Sequence, residues 1–238
     1  EKPAALDKDG KIRDISSHIS DLNPDHLNFE TITKLQSADL ASLPEISSSE
    51  RIGSCITKPG KFIAIGLNFS DHAAETGAEV PSEPITFMKA TSCINGPNDD
   101  IEIVSGSKKL DWEVELGIVI GKHTKHISEA QSQDHILGYC LVNDISEREW
   151  QIEKMGQWVK GKSHDTYGPI GPYLVTKDEI ADINNLKMSL DVNGQRMQTG
   201  NTNTMIFDVN IIVSYLSKFM SLQPGDIITT GTPVSYTH

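Results

Sequence analysis

The sequence predicts a mostly β, α+β domain with few short helices and a small N-terminal extension. Three observations carry that reading. From Lys61 onward, short runs rich in Ile, Val, Phe and Tyr recur at strand length. Asn193-Gly194 joins two of them with the dipeptide that two-residue hairpins favour. Helical spacing of apolar residues is confined to brief segments, the best of them late in the chain.

Composition narrows the class. At 238 residues the chain can form one large domain, or one domain with an extension. Hydrophobic residues at 37% and charged residues at 23% fit a folded soluble protein rather than a disordered one. No apolar run reaches the ~18 residues that cross a bilayer. The start, "EKPAALDKDG", has neither Met nor a signal-type pattern. A net charge of −12 argues against nucleic acid and anionic membranes as partners, since both need clustered Lys and Arg. The cysteines are three, an odd number, and Cys93 and Cys140 lie in or beside apolar runs. Unpaired buried thiols in a reducing cytoplasm fit that better than a disulfide framework.

Taken in order, Asp9-Gly10 between short apolar stretches predicts a hairpin. A short helix is expected over residues 27–35. The stretch "SLPEISSSERIGS" reads as a connection, so the extension covers residues 1–57 and the main domain 58–238. "KFIAIGLNF" and "PITFMKA" read as strands flanking a polar helix, "SDHAAETG", that Gly77 stops. "ILGYCLVND", "IGPYLVT" and "LKMSLDV" follow as strands, the last turning at Asn193-Gly194 into "QRMQTG". Ser128 to Gln131 fits a capping box. Asp208 caps a predicted helix running to Met220, with Val209, Ile212, Val213, Leu216 and Phe219 at helical spacing. "PGDIITTG" is a turn into a final strand.

The strand "LDWEVELGIVIGK", residues 110–122, carries the chemistry. Trp112, Val114 and Leu116 alternate with Asp111, Glu113 and Glu115, so an extended chain puts three carboxylates on one face. A solvated face is the ordinary account of such alternation. Against it, the strand runs on into the apolar Gly117-Ile118-Val119-Ile120, and a second apolar strand, "GYCLVN", ends on Asp144. Glu113 and Glu115, roughly 6.7 Å apart along a strand, can converge on one ion. A third carboxylate from a neighbouring strand end would complete an all-oxygen site suited to Mg²⁺, Mn²⁺ or Ca²⁺ rather than zinc.

His72 and Glu75, three apart in "DHAAE", share a helix face, and a carboxylate beside an imidazole supports general-base chemistry. His123 and His126 belong to a Lys-rich turn and are read as solvated. "GQWVKGKS", from Gly156 to Ser163, matches the letters of a phosphate-binding loop. It lacks the context, because polar "SEREWQIEKM" precedes it and "HDTYGPIGP", which cannot open a long helix, follows. No nucleotide site is expected.

"IGLNFSDHAAETG", "DWEVELGIVIG", "GYCLVNDISERE", "KGKSHDTYGPIGPYLVT", "VNGQRMQTGNTNTMIF" and "LQPGDIITTGTP" resemble, in that order, the fumarylacetoacetate hydrolase family. The resemblance spans about residues 60 to 233 and implies a β-roll or barrel core. It implies Mg²⁺ or Mn²⁺ held by Glu113, Glu115 and Asp144, with Asp111 outside the ligand set. It implies that His72 and Glu75 activate water on a lid-like segment, and that Lys162 holds an oxyanion. Gln151 and Thr232 would contact substrate, and His164 would have no role. Relatives suggest a homodimer, and they continue where this chain ends in "VSYTH", which implies further closing strands. The implied reaction is hydrolysis of a carbon–carbon bond in a small β-diketo acid, an acylpyruvate or a 2,4-diketo-3-deoxy sugar acid. Ureidoglycolate lyase, isomerase and oxaloacetate decarboxylase chemistry at the same metal site are the alternatives, since the fold alone does not fix the reaction.

Overall fold

The computed structural model describes residues 2–234. Residues 235–238, most of "VSYTH", lie outside the described residues, as does Glu1. The N-terminal hairpin forms as predicted, β1 (Ala4–Leu6) pairing antiparallel with β2 (Ile12–Asp14) around Asp9-Gly10. Helix α1 (Phe29–Gln36) begins where the Asn28 side chain accepts the Thr31 N–H at 3.0 Å. Ile15, Ile19 and Leu35 give this region a small core of its own.

The main sheet starts with β3 (Phe62–Gly66), followed by helix α2 (Ser70–Thr76) and β4 (Ile85–Lys89). Gly77, at φ 65°, caps α2 in the left-handed conformation that costs a side-chain-bearing residue most. Then come β5 (Ile94–Asn95), β6 (Leu110–Asp111), β7 (Val114–Ile120), β8 (Ile136–Asn143) and β9 (Ser146–Glu147). A short α3 (Val159–Lys162) precedes β10 (Gly168–Pro169), β11 (Val175–Thr176), β12 (Lys187–Val192) and β13 (Gln195–Asn201). Helix α4 (Val209–Ser217) and β14 (Ile227–Thr229) are the last elements among the described residues.

Six strands form one sheet in the order β11-β8-β7-β14-β3-β4. Only β14 and β3 run parallel within it. The remaining strands make two-stranded ribbons, and among the described residues no sheet closes into a barrel. Mostly strand with few helices, the architecture is the predicted α+β class. Strand alternation places Ile63, Ile65, Val114, Leu116, Ile118 and Ile120 on one face, against Val209, Ile212, Val213 and Leu216 of α4. Phe62, Val119, Leu137 and Ile227 point to the other face, where Ile56, Tyr167 and Ile170 cover them. A sheet buried on both sides explains why these strands read as nearly continuous apolar runs.

Three expectations need correction. The strand over residues 110–122 is two strands, because Asp111 pairs with Ser146 in a ribbon with β9 while β7 starts afresh at Val114. The segment "IGPYLVT" is no continuous strand: Pro172, which has no N–H to donate, interrupts it, and only Val175 and Thr176 join the sheet. Helix α4 stops at Ser217 rather than Met220, its end tightening as the Lys218 N–H bonds to the Tyr215 carbonyl.

Candidate active site and metal centre

The β7–β8 ladder builds the centre. Val114 pairs with Asn143, so Glu113 just before β7 faces Asp144 just after β8, and the Asp144 N–H donates to the Glu113 carbonyl at 2.9 Å. Glu115 is the next residue on the same side as Glu113. One carboxylate oxygen from each of Glu113, Glu115 and Asp144 lies within 4.8 Å of the others. All three residues are buried. The solvated-face account of the alternation is therefore wrong, and the row of acids continues directly into the row Gly117-Val119 that packs into the core.

Cations from three other elements close around the acids. Lys162, at the end of α3, places Nζ 2.5 Å from Glu113 Oε2 and 2.8 Å from Asp144 Oδ2. Lys89, ending β4, donates to Asp144 Oδ1 at 2.6 Å and to the Lys162 carbonyl. Arg148 bridges Glu113 Oε1 at 2.5 Å and Asp111 Oδ2 at 2.7 Å, and its Nη1 donates to Gln151 Oε1 at 2.9 Å. Such charges are retained in an interior only when paired, because desolvation costs several kcal/mol per ion.

The pairing is uneven. Burial pushes the Glu113 carboxyl up, but Arg148 and Lys162 outweigh it and hold the group well below the usual carboxylate range. Burial would lower Lys162, and the opposing charges of Asp144 and Glu113 keep it above its ordinary value instead. Glu115 has no ion pair among the described residues, and its Oε2 accepts the Gly231 N–H at 2.9 Å. Burial, then the charges of Asp144 and Glu113, push it well above the ordinary value. A hard divalent cation fits this gap, since the donors are all oxygen and one buried carboxylate lacks an ion-pair partner among the described residues.

Helix α2 brings in the histidine. Asn68, fully buried, ties the turn before α2 to the residue after β14 by donating to the Thr230 carbonyl at 2.8 Å, and to the segment before α4 by accepting the Phe207 N–H at 2.9 Å. His72 is half-buried, with Nδ1 3.3 Å from the Thr232 carbonyl. A carbonyl only accepts, so Nδ1 carries the proton and Nε2 is the acceptor of the neutral ring. Burial lowers its pKa, which favours that neutral form, although Glu113 pulls the other way. Glu75 is exposed on α2. Buried Gln151 and Thr232 sit at the rim, the Thr232 hydroxyl accepting from Gln198 Nε2 at 3.0 Å.

The structure also explains what the letters of the sequence left out. Lys89 and Arg148 are as deeply engaged as the predicted residues. A lone Lys closing an apolar strand ("ITFMK") was the available signal for the first, and the charge-rich "SERE" for the second. Asp111 is a counter-ion of Arg148 rather than a third member of the strand row. The phosphate-loop lookalike forms one four-residue helix, and the Ser163 hydroxyl accepts the Ala90 N–H at 2.8 Å. His123 and His126 are exposed, and Cys55, Cys93 and Cys140 are free and buried. No helix among the described residues is long and apolar enough to cross a membrane.

A sheet that ends in a buried carboxylate triad, flanked by an ammonium and a histidine, presents an all-oxygen donor set that could hold a divalent cation at a strand terminus. The model of the fumarylacetoacetate (FAA) hydrolase C-terminal region matches residues 61–237, and the chain belongs to that family. A Burkholderia multivorans relative, whose name places it provisionally among the hydrolases, is 57% identical over 98% of this chain and 83% of its own. Maleylpyruvate hydrolase from Sphingobium sp. SYK-6, solved with manganese(II) and pyruvate, superposes with a TM-score of 0.83 at 27% identity, covering 98% of this chain and 86% of that one. The 2-hydroxyhepta-2,4-diene-1,7-dioate isomerase of Mycobacterium marinum gives 0.66 at 36% identity, over 83% and 69%.

Proposed function

We propose that this enzyme hydrolyses a carbon–carbon bond in a small β-diketo acid, with one divalent cation held by Glu113, Glu115 and Asp144. The observation that carries the reading is the buried Glu115 carboxylate left without an ion pair beside two paired ones. Mg²⁺ or Mn²⁺ there would act as a Lewis acid toward a 2-oxo-carboxylate, an effect worth several kcal/mol. The manganese and pyruvate in the maleylpyruvate hydrolase support that choice of ligand.

The residues of the chain divide the remaining work. His72, neutral and protonated on Nδ1, takes a proton from water through Nε2, and the Thr232 carbonyl fixes its tautomer. Glu75, one turn along α2, supports the imidazolium by charge alone. Lys162 places positive charge beside the cluster, where an oxyanion would develop. Gln151 and Thr232 orient the substrate from the rim. The burial of the cluster excludes bulk water and strengthens each of these interactions.

Isomerisation at the same site is the second reading, favoured by the 36% identity to the M. marinum isomerase. Turnover of acylpyruvates in ¹⁸O-water with Mn²⁺ separates the two. Hydrolysis must put one solvent oxygen into the carboxylate of the acyl fragment, and isomerisation releases no such fragment. His72→Ala should slow hydrolysis by about 10²–10⁴-fold with Mn²⁺ binding retained. Product without label above a no-enzyme control rules the water-attack mechanism out.

A further inference from the structure

Beside the charged cluster the structure has a wall that the mechanism does not use. Strand β4 turns Ile85, Phe87 and Lys89 to one side, by the period of two that strands impose. Lys89 ends in the cluster. Phe87, two residues back, lies with its ring centroid 5.3 Å from Lys162 Nζ. Trp158, at the start of α3, meets Phe87 edge to face, with centroids 5.2 Å apart. Ile85 continues the row outward and is 36% exposed.

Gly66 makes room for the indole. A Cβ at that position would stand 2.5 Å from Trp158 Cζ3 and 3.6 Å from Ile85 Cγ2. The ring therefore rests on bare backbone at the end of β3, just before the turn that leads to His72. Phe87 and Trp158 are half-buried, so each keeps an open surface next to a buried ammonium. Large apolar rings left part-open beside a few convergent polar groups are the usual composition of a small-molecule pocket.

We propose that Phe87, Trp158 and Ile85 form the subsite for the substrate's acyl tail, and that the tail it selects is apolar. The proposal rests on the 2-oxo-acid reading of the metal centre and deepens it. The head of the substrate meets carboxylate-held metal, Lys162 and Thr232. The tail runs along β4 over two aromatic rings and an isoleucine, where the Trp158 indole N–H is the single hydrogen-bonding group that these three side chains offer to a hydroxyl or carboxylate. A tail with several polar groups would lose hydration that one donor does not replace, whereas each methylene gains from burial. The subsite thus favours acylpyruvates with hydrocarbon acyl groups over polyhydroxylated sugar-derived diketo acids.

Binding tests this without relying on turnover. Calorimetry on the Mn²⁺-loaded protein would compare pyruvate, 2-oxobutyrate, 2-oxopentanoate and 2-oxohexanoate with a 3-deoxy-2-oxo sugar acid of the longest length. Affinity should rise about fourfold per methylene, and the hydroxylated ligand should bind more weakly than its apolar counterpart. In Trp158→Ala the gain should shrink to less than about twofold per methylene. Gly66→Ala, which pushes the ring aside without removing it, should shrink it too. A flat series in the wild type, or tighter binding of the hydroxylated ligand, overturns the subsite while leaving the metal centre standing. Mn²⁺ binding without any affinity for pyruvate refutes the 2-oxo-acid reading itself, and the subsite with it.

Discussion

Two buried carboxylates sit at opposite ends of the paired strands β7 and β14, and only one of them is finished by the protein. Asp226, just before β14, accepts the N–H groups of Lys61 and Gln223 at 2.8 Å each and the Lys61 ammonium at 2.8 Å. Glu115, facing the far end of β14, has the Gly231 N–H and no ion-pair partner among the described residues, the Lys162 charge acting on it only from a distance. Both are essentially inaccessible to water. A fold that needed a buried acid for stability alone would satisfy it, as it does Asp226, because an unpaired charge costs more than the pair gains. Under the proposed metal site, the unfinished acid is the one with work to do. Strain of this kind is retained where a ligand removes it.

Glu115→Gln is the severest test of that contrast. If Glu115 is a metal ligand, turnover should fall on the order of 10⁴-fold, because several kcal/mol of Lewis-acid stabilisation is lost. Folding should behave the other way. Mn²⁺ at 100 times its Kd should raise wild-type stability by about 2.7 kcal/mol, and in the variant that gain should vanish while the metal-free Tm does not drop. A variant that keeps the Mn²⁺-induced rise in Tm, measured by calorimetry, breaks the comparison.

Lys89→Met comes next. It removes the cation on Asp144 Oδ1 and the donor to the Lys162 carbonyl together. Breaking a buried pair from one side costs about 3–5 kcal/mol, so the metal-free protein should lose that much stability in urea unfolding. Mn²⁺ should restore part of the loss, since a divalent cation supplies charge to the same Asp144. A loss that Mn²⁺ leaves unchanged would make Lys89 a packing residue only.

The reach of the sequence follows the same divide. Alternation and turn chemistry made the finished parts legible: the Asp9-Gly10 and Asn193-Gly194 hairpins, the Asp208 cap and the Gly77 stop depend on neighbours within a few residues. The acids Glu113, Glu115 and Asp144 were legible because their apolar context made them anomalous. Their partners were not. Lys89 and Lys162 are 73 residues apart, yet one ammonium bonds the other residue's carbonyl, and no local pattern encodes that. Asp111 shared the alternation of Glu113 and Glu115, but the strand breaks at Trp112, a tertiary decision set by pairing with β9. The Phe87–Trp158 contact was hidden for the same reason, with Trp158 inside a lookalike motif that drew attention to its glycines and lysine.

Asp226→Asn tests the finished end. The amide keeps the shape and one acceptor but loses the charge-assisted bonds to Lys61 and Gln223. Hydrogen bonds to charged groups contribute about 1.5–3 kcal/mol, so the Tm should fall by about 3–12 °C for a chain of this size. The increment that Mn²⁺ adds should stay at its wild-type size. A change in that increment would mean that the two ends of β14 are coupled, and the division between them would fail.

The smallest effect is a reactivity measured against the ordinary thiol. Burial pushes the Cys93 thiol up to about 11 from 9.0, although Lys89 pulls it down. At pH 8 that leaves about 100-fold less thiolate than an ordinary cysteine of pKa 9.0 would carry, and the thiolate is the nucleophile. Cys93 is also fully buried, so iodoacetamide reaches it only through opening of the fold. Native protein at pH 8 should therefore label at Cys93 at the rate set by unfolding, read peptide by peptide by mass spectrometry. That turns the residue into a gauge for the comparison. Asp226→Asn should speed labelling by the factor its stability loss dictates, roughly tenfold per 1.4 kcal/mol. Glu115→Gln should leave labelling at the metal-free wild-type rate or slow it, because neutralising an unpaired buried acid relieves the folded state. Faster labelling in Glu115→Gln than in Asp226→Asn would show that Glu115 holds the fold together, and that its missing ion pair marks no site.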